Sequence, residues 1–136
     1  MALAAAAVLL IVIGGLLFLR SRPSIQTATV TIDLRERSVA RGENPPETNQ
    51  APIELSGQAN HLVLDLPVGS KEGSYQLALL GSNGEEIKRA TGLAQLENHT
   101  VVLRADFDFG GVSPGSYFLG VRQPGLEWSR YPVRVK

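Results

Sequence analysis

The chain has 136 residues, 43% of them hydrophobic, with thirteen acidic and thirteen basic side chains, a net charge of zero and no cysteine. The missing thiols exclude disulfides, thiolate metal sites, cysteine nucleophiles and iron–sulfur clusters together. Eleven bases and thirteen acids follow Pro23, a net of −2, which excludes the concentrated basic face that nucleic acid requires.

Ala2 to Leu19 form an unbroken apolar run, followed by Arg20, Arg22 and Pro23. As a helix, this run would reach roughly 27 Å at about 1.5 Å per residue, close to the roughly 30 Å hydrocarbon core of a bilayer. It is apolar on every face, so it does not read as an amphipathic core helix. It has no preceding basic residue and no small-x-small cleavage site, and is longer than the apolar part of a secretory signal. The sequence therefore predicts a retained anchor over residues 1–22, embedded in the lipid bilayer through Ala2 to Leu19. A cleaved signal is the alternative. Pro23 ends the helix. Counting charge at the span's ends puts the C-terminal part in the cytoplasm, because Arg20 and Arg22 follow the span.

Residues 23–136 are predicted to form one β domain. Thr27 to Leu34 alternates with a period of two, with Ala28, Val30, Ile32 and Leu34 on one face. Residues 42–52, with Pro45-Pro46 and several polar residues, read as an exposed loop. Further strands are expected at Ile53 to Leu55, His61 to Leu66, Ser74 to Leu80, Glu85 to Ala90, Thr100 to Arg104, Ser116 to Arg122 and Trp128 to Val135. Asn83-Gly84, Ser113-Pro114-Gly115 and Pro124-Gly125 supply turns between them. Seven or eight short strands with regular turns predict an all-β fold, an immunoglobulin-like antiparallel β-sandwich behind one N-terminal transmembrane helix. A small closed barrel is the alternative. Tyr117 sits where such sandwiches carry a tyrosine corner.

The candidate chemistry is sparse. His61 and His99 lie at strand ends, flank no carboxylate motif and read as solvated. Asp106 and Asp108 share a face but lack the glycine and later glutamate of a calcium loop. No G-x-S-x-G and no phosphate-cradling glycine loop is present. Asn98-His99-Thr100 matches the N-glycosylation pattern. No acid, base and nucleophile converge, so neither an enzyme nor a cofactor or metal site is expected. What remains is a binding surface. Arg104, Arg122, Arg130, Arg134 and Lys136 alternate with apolar residues on late strands. Trp128 falls on the face opposite Tyr131, Val133 and Val135. Trp128, Arg122, Arg130 and Arg134 are the candidate contacts for a protein partner.

A set of short motifs adds a resemblance. Leu34-Arg35-Glu36-Arg37-Ser38, Arg41-Gly42, Leu66-Pro67-Val68-Gly69-Ser70, Gly73-Ser74-Tyr75, Gly92-Leu93-Ala94, Pro114-Gly115-Ser116-Tyr117, and Trp128 with Tyr131-Pro132-Val133 follow one another in order. Together with the anchor they resemble bacterial membrane-anchored proteins of the zinc-finger anti-sigma-factor type. In that family a cytoplasmic His/Cys zinc motif binds a sigma factor, one membrane helix follows, and a β-rich domain lies in the periplasm. The resemblance implies an extracytoplasmic sensor or protein-interaction module with no enzymatic activity. A structural or assembly subunit of a cell-envelope complex is the alternative. It also implies a C-terminal domain outside the cytoplasmic membrane, against the charge count. The cytoplasmic zinc domain is not in this sequence, which has no cysteine and only Met1 ahead of the apolar run.

Overall fold

A computed structural model of the chain describes residues 27–37 and 50–136. The apolar run Ala2 to Leu19 lies outside the described residues, as do positions 42–49 of the predicted loop. Gln50 to Pro52, the rest of that loop, are irregular. Among the described residues there is no helix, and so none long and apolar enough to cross a membrane.

Eight strands are present: β1 (Ala28–Asp33), β2 (Ile53–Leu55), β3 (Ala59–Asp65), β4 (Gly73–Leu80), β5 (Glu86–Glu97), β6 (Thr100–Asp108), β7 (Gly115–Arg122) and β8 (Ser129–Val135). They hydrogen-bond in the order β1-β3-β6-β5-β4-β7-β8-β2 and make one sheet that curls nearly into a barrel. The expected all-antiparallel pairing holds for the six inner strands only. Both edge strands pair in parallel, β1 with β3 and β2 with β8. The cause is the connection between Leu34 and Pro52. It carries the chain from one edge of the sheet to the other, so each edge strand meets a partner running its own way, as parallel pairing through a crossover requires.

Period-two alternation sends one face of every strand into a single core. Ile32, Leu34, Leu55, Leu62, Leu64, Leu77, Leu79, Leu103, Phe107, Leu119, Tyr131, Val133 and Val135 all belong to it. Phe107 and Phe109 stack there, with ring centroids 4.5 Å apart. Asn60 is the buried polar residue of this region. Its Nδ2 donates to the Ser56 and Gln58 carbonyls at 3.2 and 2.7 Å, and its Oδ1 accepts from the Ser56 hydroxyl, so its burial leaves nothing unpaired.

β5 runs well past the expected end at Ala90, and the extra length serves the curl. Its first part pairs with β4 and its last part with β6. The changeover falls at Leu93 and Ala94, which pair with both strands. Just before it lies Gly92, where a side chain would meet the Arg104 carbonyl at 2.5 Å, so only glycine allows the strands to approach this closely. Asn98 and His99, both at positive φ, then close a two-residue turn into β6.

Strand directions define two poles. The chain enters β1 at Thr27, at the same pole as the Gly81–Glu85 turn and Lys136. The opposite pole gathers residues 34–37 after β1, the loop 66–72 between β3 and β4, the Asn98-His99 turn and the loop 123–128 between β7 and β8.

Candidate functional site

The four residues singled out in the sequence fall on the outer face of β7 and β8, around a glycine. Gly120 lies opposite Ala78 on β4 and Arg130 on β8. Its missing side chain leaves room for the Trp128 ring. A Cβ at this position would sit 2.9 Å from Trp128 Cε3 and 3.0 Å from Leu80 Cδ1. The indole therefore lies flat over the sheet beside Leu80, half-buried, on the face away from Tyr131, Val133 and Val135 as expected. Arg122 stacks on the ring, with the guanidinium carbon 4.0 Å from its centroid. Arg122 Nε also donates to Gln76 Oε1 at 2.9 Å, across the β4–β7 pair. Such a stack contributes roughly 0.5–1 kcal/mol at an exposed site.

Arg130 and Arg134 share this face four residues apart on β8. The Arg130 guanidinium reaches the Gly81–Glu85 turn, 3.6 Å from where a side chain on Gly84 would begin. Arg134 lies opposite Ser116 and is exposed. Among the described residues, neither these two nor Arg122 forms an ion pair. Trp128 and Arg122 are thus in contact, Arg130 lies on the same face opposite Gly120, and Arg134 lies on that face further along β8, opposite Ser116.

Two members of the wider basic stripe are elsewhere and are neutralised. Arg104 is on β6 and grips Glu97 with two hydrogen bonds of 2.8 Å. Lys136 pairs with Glu54 on β2 at 2.7 Å. The hydrogen bonds from these cations hold both carboxyls below their usual pKa. Arg89 and Arg35 are likewise paired, with Glu86 and Asp33. His61, expected as a solvated strand-end residue with no carboxylate motif beside it in sequence, meets a carboxylate across the sheet. β3–β6 register sets it directly opposite Asp106, with Nδ1 2.7 Å from Oδ1. Residues far apart in sequence supply the two partners, so local spacing gives no sign of the pair. His99 is exposed in its turn, and Asp108 accepts the Gly110 N–H at 2.8 Å. Among the described residues, no cluster of three or more His, Cys, Asp or Glu could hold a metal ion.

Both tyrosines that open inner strands make corner bonds. Tyr117 donates its hydroxyl to the Ser113 carbonyl at 2.6 Å, the expected tyrosine corner. Tyr75 does the same to the Lys71 carbonyl at 2.8 Å, and burial raises its pKa. The two sit in matching Gly-Ser-Tyr triplets four residues beyond their acceptors.

A feature that sequence reasoning missed lies next to Arg122. A cleft of about 570 Å³ opens at the pole opposite the chain's entry, between the 66–71 and 123–127 loops. Tyr75, Val121 and Tyr131 help to line it, and Arg37, Lys71 and Arg122 bring positive charge. Val68 and Leu126 stand exposed on its two loops. The one available signal was an apolar residue inside each turn sequence, Pro67-Val68-Gly69 and Pro124-Gly125-Leu126. No family model, characterised protein or solved structure matches the chain.

Proposed function

We propose that this chain is a non-enzymatic, single-pass, membrane-anchored module on the outer side of the cytoplasmic membrane, acting as a sensor or protein-interaction domain. Its β domain is read as an immunoglobulin-like sandwich and as the extracytoplasmic part of an anti-sigma-factor-like regulator. The sandwich reading draws support from β5. By serving β4 and then β6, it divides the sheet into two groups whose inner faces share one core. The anchor and the ordered motifs support the membrane and regulator readings.

One observation carries the interaction role. Trp128 and Arg122 form an outward stack on the face that also carries Arg130 and Arg134, which form no ion pair among the described residues, while four other cations of the domain are paired. Tryptophan and arginine are the residue types enriched where interface energy concentrates. Such residues act through packing and charge and need no cofactor.

Two fusions after Lys136 test the location. Alkaline phosphatase should be active, and a fluorescent protein that folds only in the cytoplasm should stay dark. The reverse pair of results rules out the outer-side reading. Contact is tested in cells with a photo-crosslinking residue at Arg134 and another at Leu93, exposed on β5. A discrete adduct from position 134 alone, lost on Trp128→Ala, is expected. Equal adducts from both positions would discard this face as the contact surface.

A further inference from the structure

We infer that the cleft beside Arg122 is a peptide-binding site, whose occupant is a partner-protein segment carrying carboxylates next to large apolar side chains. This rests on the interaction-module reading and gives the partner's chemistry. Charge is the first ground. Arg37, Lys71 and Arg122 line the cleft against one acid, Glu127. None of the three forms an ion pair among the described residues. Arg37 donates to the Ala51 carbonyl at 3.0 Å and Arg122 to the neutral Gln76 amide, so among the described residues neither guanidinium is bonded to a carboxylate. Elsewhere on the domain Arg35, Arg89, Arg104 and Lys136 each hold a carboxylate. Guanidinium and ammonium donors left open in one concavity match carboxylate acceptors.

The rim is the second ground. Val68 is 96% and Leu126 is 59% exposed, on the two loops that bound the cleft. Bare aliphatic side chains on the lips of a charged cleft would pack against apolar side chains that flank the carboxylate. A polyanion such as a phosphate-rich surface would leave them in water. The cleft volume lies within the range of about 300–1,000 Å³ that suits a few side chains or a small ligand. Its position is the third ground. It faces away from the pole where the chain enters at Thr27, the side a partner would reach on an anchored domain.

The test is selection of random dodecapeptides displayed on phage, using the full-length chain in nanodiscs of neutral phosphatidylcholine. Enriched sequences should carry Asp or Glu next to Leu, Ile, Phe or Trp. Their synthetic versions should bind with an affinity that falls as salt rises. Lys71→Glu should weaken binding about three- to tenfold, as expected for a rim charge, and Val68→Ser by a comparable factor. Both side chains are exposed, and an unchanged melting temperature confirms that the fold is kept. Asn/Gln isosteres of the selected peptides should lose binding. No acidic enrichment, or binding by the two variants as tight as wild type's, would overturn the inference. Equal competition by vesicles of anionic phosphatidylglycerol would overturn it in favour of a lipid headgroup. Failure here with phosphatase-active fusions removes the cleft's role alone. Fusions that fluoresce instead remove the interaction-module reading at the outer side, whatever the peptides do.

Discussion

The smallest decisive unit in this molecule is a glycine with an indole on it. Gly120 is buried on β7, and the Trp128 ring occupies the space its side chain would take. Gly120→Ala would place a methyl 2.9 Å from Trp128 Cε3, closer than such atoms approach, and the ring would have to lift. The chain has one tryptophan, so its fluorescence reports this position alone. The variant should shift emission to the red, increase quenching by acrylamide and cost about 1–3 kcal/mol, the range for overpacking. An unchanged spectrum would mean that the indole does not lie over β7. Tyr117→Phe tests a second single-residue device. Removing the hydroxyl leaves the Ser113 carbonyl open to water, because Ser113 is exposed, so urea denaturation should show a loss of about 1 kcal/mol.

At the scale of strands, β4 holds the sheet together. It is flanked by β5 and β7, and its last four residues, Leu77 to Leu80, are all buried. Leu77 and Leu79 enter the core, while Leu80 lies under the Trp128 ring. Leu77→Ala should therefore cost about 2–5 kcal/mol in denaturant unfolding, the range for large-to-small core changes. A value near zero would place Leu77 in water and the register one residue out. The strand pattern was legible because inward residues alternate strictly in β1, β3 and β8, as in Tyr131/Val133/Val135. It failed over Thr91 to Glu97, where only Ala94 is buried while Leu93 and Leu96 point outward, so alternation carries no message there. The site divided in the same way. Trp128 and its three arginines share a parity that sequence can count. The cleft joins loops more than fifty residues apart, and His61 meets Asp106 across strands. Neither leaves a trace in local spacing. Parallel pairing at the edges was equally invisible, since alternation does not record strand direction.

For the whole molecule, charge sets the response to acid. The neutral total hides a set of cross-linked carboxylates: Asp33 with Arg35, Glu54 with Lys136, Glu86 with Arg89 and Glu97 with Arg104. Asp33 is the most strongly held. Arg35 donates to it from its side chain at 3.0 and 2.6 Å and from its backbone N–H at 3.0 Å, lowering its pKa from 3.8 to about 2. Hydrogen bonds from their partners also lower Glu54, Glu86 and Glu97. A carboxyl whose pKa is lower in the folded state adds stability above its unfolded pKa. That contribution is lost as pH falls through the folded value. For Asp33 the window runs from about pH 4 down to about pH 2. The pairs are exposed, so each contribution is small and salt reduces it. The melting temperature of the full-length chain should stay level from pH 7 to pH 5 and fall between pH 4 and pH 2. Asp33→Asn should melt below wild type at pH 7, and the gap should shrink steadily toward pH 2, where wild type has lost most of this contribution. Added salt should narrow the gap at pH 7. A gap of constant size across this range would show that Asp33 contributes through its shape and neutral hydrogen bonds, and that the Arg35 pair does not govern acid stability.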